Sequence, residues 1–280
     1  MAKRIFSTLL LWAIVIGLLY FFGPETAVWL IALVSAGTQY ELYGLMEKMG
    51  RRPFKTFGTV HGTIMILGPF YANKLVSHPV EGLQAGIIAV TIVACCLRIL
   101  VHREVAERIE TLGATLVGLI YVPFMLTFMA RLLTLPGQDR MDEGLMLILW
   151  LIVTAKFCDV GALLFGKAFG RHKMSPNTSP GKTWEGAIGG CLVSVGLGYA
   201  FVSIAGGAFP SFFTPLWAAV FALPIAILSI ISDLVESMMK RSAKQKDSGN
   251  FIPGIGGAFD LSDSLILTSP TAFLLLGLLK

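Results

Sequence analysis

Apolar residues in this 280-residue chain come in long blocks, with charged and turn-forming residues gathered between them. Nine blocks stand out, at 5–22, 26–46, 57–76, 83–101, 112–135, 145–165, 184–204, 214–234 and 264–279. A helix needs about 20 apolar residues to cross the hydrocarbon layer of a bilayer, and each block comes near that length. Strands of a membrane barrel would alternate apolar and polar positions instead. The pattern therefore predicts an all-α fold, a polytopic helical membrane protein with about nine transmembrane helices. The first block follows Met-Ala-Lys-Arg, as a signal peptide would, but no small-residue cleavage site comes after it, so it reads as a retained first helix. No internal repeat is visible, unlike the duplicated halves of many transporters.

Composition narrows the class further. Residues of the set AVILMFWYC make up 55% of the chain, charged residues only 14%, and the mean hydropathy is +0.76. That leaves too little charge to cover a water-soluble globule of this length, and far too much apolar content for a disordered chain. The net charge of +5 is explained first by orientation, because Lys and Arg collect in cytoplasmic loops. With a cytoplasmic N-terminus, Lys74, Arg131, Arg140 and Lys280 fall outside and Lys156 lies within the sixth block; the rest of the 22 Lys and Arg are cytoplasmic. This imbalance predicts the N-terminus inside and the C-terminus outside, and gives no reason to expect a nucleic-acid partner. It also divides the chain into 1–135, with helices one to five, and 136–280, with helices six to nine. The second part carries two long polar stretches, 166–183 and 237–263, on the cytoplasmic side. Cys95, Cys96, Cys158 and Cys191 lie in apolar runs without metal-knuckle or disulfide spacing, and read as small buried residues.

Ionisable groups in or beside membrane segments need a reason to be there. Lys156 and Asp159 sit three apart on one face of the sixth helix and could pair. Asp233, Glu236 and Lys240 share a face at the cytoplasmic end of the eighth helix, Asp247 follows Lys246, and Asp260 and Asp263 precede the ninth helix. Internal salt bridges are one reading of such a set. Packed carboxylates repel one another, however, so this many on one side point rather to a bound hard cation such as Mg²⁺. Arg171, Lys173, Lys182, Lys240, Arg241, Lys244 and Lys246 supply positive charge around them. Gly249, Gly254, Gly256 and Gly257 could offer backbone amides to phosphate oxygens. Two motif matches fail. Pro180-Gly181-Lys182-Thr183 ends like a phosphate-binding loop but has Pro176 where the required Gly should be, and residues 254–257 lack the βαβ unit of a dinucleotide site.

The run Ser237, Lys240-Arg241, Lys246-Asp247, Gly249, Ile252-Pro253-Gly254, Gly256-Gly257, Asp260 and Asp263 resembles the signature of the phosphatidate cytidylyltransferase (CDP-diacylglycerol synthase) family. Asp159, Gly161, Phe169-Gly170-Arg171, Ser179-Pro180, Lys182-Thr183, Glu185-Gly186 and Gly189-Gly190 resemble its upstream block, and Asp233 with Glu236-Ser237 its approach to the signature. The chain departs from that pattern at Ile255, where the family has His, and at Leu261, where it has Arg; Gly181, Ala258 and Ser262 also differ. The resemblance implies a nucleotidyltransferase that joins CTP and phosphatidate into CDP-diacylglycerol and pyrophosphate in phospholipid biosynthesis. It implies Mg²⁺, one ion or two, with Asp233 and Asp260 as metal ligands and Asp263 and Asp247 near them. Lys182, Lys240, Arg241 and Lys246 are then assigned to phosphates, with Arg171, Gly256 and Gly257 beside the nucleotide. The expected setting is a prokaryotic cytoplasmic membrane with the active site facing the cytoplasm, and a homodimer is allowed. Three rivals stay open: a CTP-dependent lipid or polyprenol kinase, a degenerate non-catalytic relative suggested by Ile255 and Leu261, and an ion-coupled transporter.

Overall fold

A computed structural model describes residues 13–75, 82–102, 108–249 and 256–280. The start of the first block with Lys3 and Arg4, His78, Arg103, and Ile252, Pro253, Gly254 and Ile255 of the signature lie outside the described residues.

Among the described residues the chain forms nine helices. They are α1 (Ala13–Phe22), α2 (Thr26–Lys48), α3 (Lys55–Leu75), α4 (Leu83–His102), α5 (Arg108–Thr134), α6 (Met141–Phe169), α7 (Trp184–Ala205), α8 (Pro215–Ser242) and α9 (Ala258–Gly277). α5 passes through a π-helical turn at Ile120–Phe124 that holds Pro123. Proline has no N–H and crowds the preceding turn, and a wider turn accommodates both. Between α6 and α7 lies an antiparallel hairpin, β1 (Lys173–Ser175) and β2 (Ser179–Thr183), which the apolar pattern did not foresee.

Six helices, α4 to α9, are long and apolar enough to cross a membrane, and they make this an all-α integral membrane protein. The sequence pattern predicted nine. The blocks at 26–46 and 57–76 do fold as helices, of 23 and 21 residues, but fall outside that set. Their apolar character is diluted by Ser35, Thr38, Gln39 and Glu41 in α2 and by Thr59, His61 and Thr63 in α3. In α3 these side chains turn back to carbonyls one turn earlier, Thr59 Oγ1 donating to Lys55 O at 2.9 Å and Thr63 Oγ1 to Thr59 O at 3.0 Å. A polar group satisfied by its own helix can stay in apolar surroundings.

The helices pack as two units, one made of residues up to Ala130 with Ser242–Ser262, the other of Arg131–Arg241 with Asp263–Lys280. In the first unit the fully buried Tyr43 of α2 lies against Gly58 of α3 and Gly118 of α5, where any side chain would collide with its ring. Its hydroxyl donates to Thr115 O at 2.8 Å and accepts from Gln39 Nε2 at 2.9 Å, and Gln39 Nε2 also donates to Gly58 O at 3.1 Å. Leaving such a buried hydroxyl unpaired would cost about 1–3 kcal/mol. The other face of α2 meets the start of α9, where Thr38 Oγ1 donates to Ala258 O at 3.0 Å.

In the second unit α7 presents Gly186 and Gly190, four residues apart, to α6. A Cβ on Gly190 would lie 2.6 Å from Cys158 O, and one on Gly186 2.7 Å from Ala162 O. Small residues at this spacing let two helix backbones come together without a hydrophobic driving force between them. Hydroxyls then tie the elements: Ser194 of α7 donates to Thr154 O at 2.8 Å and Ser229 of α8 to Ala155 O at 3.2 Å.

Candidate active site

The charged side chains of the second unit meet in one place. One carboxylate oxygen from each of Asp233, Glu236 and Asp263 lies within 4.8 Å of the other two; Glu236 and Asp263 are buried and Asp233 is half-buried. Each has its own lysine. Lys182 Nζ stands 2.7 Å from Asp233 Oδ2, Lys240 Nζ 3.0 Å from Glu236 Oε1, and Lys156 Nζ 2.9 Å from Asp263 Oδ1. The lysines remove the repulsion that three packed carboxylates would otherwise feel. The Lys240–Glu236 pair is the driest, with side-chain exposures of 13% and 2%. Removing one partner from a pair that dry leaves an uncompensated charge, at about 3–5 kcal/mol.

Local structure explains how these groups arrive. Asp233, Glu236 and Lys240 recur at helical spacing, so α8 presents them on one face. Asp263 belongs to the second turn of α9; its Oδ1 accepts from Ser264 N at 2.6 Å, and Ser232 Oγ donates to its backbone carbonyl. Lys182 rides on β2. Glu185 clamps that hairpin by accepting from the backbone N–H of Arg171 at 3.1 Å and from His172 Nδ1 at 2.6 Å. Thr183 ends the hairpin and caps α7, its hydroxyl accepting from Gly186 N at 3.1 Å.

Other expected residues are not part of that group of three. Asp260 is in the first turn of α9, in the first unit, where its Oδ2 accepts from Gly257 N and Ser248 Oγ, both at 2.8 Å. Glu236, noticed in the sequence for its spacing but not counted among the ligands, joins Asp233 and Asp263 in the group of three. Lys156, which could pair with Asp159 by its spacing, hydrogen-bonds to Asp263, a partner 107 residues away that spacing alone could not supply. Arg171, Arg241, Lys246 and Asp247 are exposed, Gly257 is buried, and Gly256 adopts a φ of +123°, open only to glycine. Glu185, quoted in the sequence only as part of the upstream block, clamps the hairpin, and Glu41 of α2 went unnoticed altogether. For Glu41 a signal existed, since a lone carboxylate inside an apolar block calls for a reason.

Three carboxylate oxygens this close form a hard, all-oxygen donor set, which suits a divalent cation of the Mg²⁺ type better than a softer metal. The lysines interleaved among them suit phosphate oxygens once released from their carboxylates. Metal and phosphate chemistry can thus be served from one place.

Helices of membrane-crossing length and a buried carboxylate–lysine cluster define an integral membrane protein with a charged site in its second unit. Residues 2–279 match the sequence profile of the Cytidylyltransferase family, and the chain belongs to that family. It is similar to the phosphatidate cytidylyltransferase of Chlamydia pneumoniae, 30% identical over 250 residues that cover 86% of this chain and 79% of that protein. Over 128 residues it is 36% identical to the phosphatidate cytidylyltransferase of Haemophilus influenzae, covering 46% of this chain and 44% of the relative. Over 165 residues it is 36% identical to the uncharacterized protein YnbB of Escherichia coli, covering 59% and 53%. The chain thus spans about half the length of these last two relatives.

Proposed function

We propose that this protein transfers the cytidylyl group of CTP to phosphatidate, giving CDP-diacylglycerol and pyrophosphate. The observation that carries the reading is the meeting of Asp233, Glu236 and Asp263 within 4.8 Å, each paired with a lysine. Family membership and relatives named for this activity support it. A phosphate oxygen of phosphatidate attacks the α-phosphorus of CTP, the bond from that phosphorus to the bridging oxygen breaks, and pyrophosphate leaves with the electron pair. The nucleophile is already an anion, so no side chain need take a proton. The obstacle is repulsion between two polyanions, and positioning with charge neutralisation overcomes it. Lys182, Lys240 and Lys156 are placed to give that positive charge, with Arg241 and Lys246 as further phosphate contacts. Asp233, Glu236 and Asp263 would hold a divalent cation, Mg²⁺ by their chemistry, which would neutralise phosphate charge where bond making and breaking occur.

The lipid tails stay among the helices. The protein sits in a bacterial cytoplasmic membrane with nine spans, its N-terminus and the cluster on the cytoplasmic side, as the distribution of Lys and Arg supports.

Purified protein supplied with labelled CTP, phosphatidate and Mg²⁺ should yield a labelled CDP-lipid and pyrophosphate, and a chelator should stop it. A phosphorylated lipid with free CDP would make the protein a kinase. CTP binding without turnover would make it a non-catalytic relative.

A further inference from the structure

Helix α9 begins with an arrangement that its own sequence cannot complete. Its capping position is Gly257, which has no side chain to accept a first-turn N–H. Glu41 of α2 supplies the missing acceptor from 218 residues away, its Oε2 taking the backbone N–H of Phe259 at 3.0 Å. Asp260 provides the other half of a capping box by reaching back to Gly257 N. Ser248 Oγ stands between the two carboxylates, 3.0 Å from Glu41 Oε2 and 2.8 Å from Asp260 Oδ2. The space is cut to fit. A Cβ on Gly257 or on Gly249 would collide with the Glu41 carboxylate, and one on Gly256 would lie 2.7 Å from Asp260 Oδ2.

We infer that Glu41 is a positioning residue for the proposed cytidylyl transfer, holding Ser248, Gly249 and the first turn of α9, the helix whose second turn carries Asp263. The inference rests on the function proposed above for its kinetic part only. Glu41 joins the N–H of one segment, the hydroxyl of a second and, by close contact, the glycines of both. A single acceptor linking so many groups fixes their mutual geometry, and small losses of orientation are felt in phosphate handling.

The experiment compares Glu41→Ala, Glu41→Gln and Ser248→Ala with the unaltered protein in detergent, following KM for CTP, kcat, and the rate of tryptic cleavage after the exposed Lys244 and Lys246. In Glu41→Ala the KM for CTP should rise about 2- to 30-fold, the span that loss of one cap corresponds to, with a smaller change in kcat and faster cleavage. Glu41→Gln keeps an acceptor oxygen and should recover most of the affinity. Ser248→Ala leaves the Phe259 bond in place and should show a weaker form of the same change, which keeps the test sharp if Glu41→Ala does not fold. Wild-type KM and cleavage in Glu41→Ala would overturn the inference. So would a loss confined to kcat and shared by Glu41→Gln, which would put the charge itself in the chemistry. If the unaltered protein makes no CDP-lipid the proposed reaction fails, while cleavage still reports whether Glu41 holds the loop.

Discussion

Asp263 ties α9 to α6 and α8 of the second unit. Its Oδ1 takes Lys156 at 2.9 Å and its own helix's Ser264 N–H at 2.6 Å, and it lies among Asp233 and Glu236. Asp263→Asn preserves the size of the side chain but removes a charge from the donor set and from the ion pair with Lys156. Turnover should fall by at least about 100-fold, the scale seen when a preorganised charged contact is lost from a reacting centre. A detergent thermal-melt transition close to that of the unaltered protein would show the loss to be chemical; near-normal turnover would remove Asp263 from the site. Single residues were also where sequence reading was strongest and weakest. Asp233, Asp263, Lys182 and Lys240 could be named because carboxylates and lysines beside apolar blocks stand out. Their pairing could not, because which lysine serves which carboxylate depends on helices brought together from distant parts of the chain.

Among elements, the closeness of α6 and α7 depends on what α7 leaves out. Gly190→Leu would drive a side chain into the backbone at Cys158, where even a Cβ would be 2.6 Å from the carbonyl oxygen. Forcing added volume into a packed contact typically costs about 1–3 kcal/mol, and here backbone is the obstacle. The melting temperature in detergent should drop, while the same change at Gly196, where a Cβ meets nothing within 4 Å, should be tolerated. Long apolar blocks made most helices legible, since a bilayer-spanning length is written directly in composition. The hairpin was not legible. Its strands are three and five residues long, include Pro180 and Gly181, and depend on Glu185 binding the backbone of Arg171 and His172. Nor was the π-turn of α5, which keeps the apolar pattern unchanged while altering hydrogen bonding. The polar positions of α2 were swallowed by the apolar residues around them, and that is how Glu41 escaped notice.

For the whole molecule, the proposed orientation makes the two faces chemically distinguishable. In a background without the native cysteines, Lys246→Cys should react with an impermeant thiol reagent only when the cytoplasmic face is opened, and Arg140→Cys should react in intact cells. Both side chains are exposed, so burial does not obscure the readout. The reverse pattern would invert the topology and move the carboxylate–lysine cluster to the side where CTP is absent.

The reach of Glu41 bears on how such a chain is made. Its carboxylate emerges during synthesis 218 residues before the N–H it will accept, so α2 must wait, with a charge unmatched by that partner, until nearly the whole chain has left the ribosome. Assembly therefore closes from its two ends at a late moment. A translation product cut short before α9 would hold a Glu41 carboxylate that lacks the Phe259 N–H.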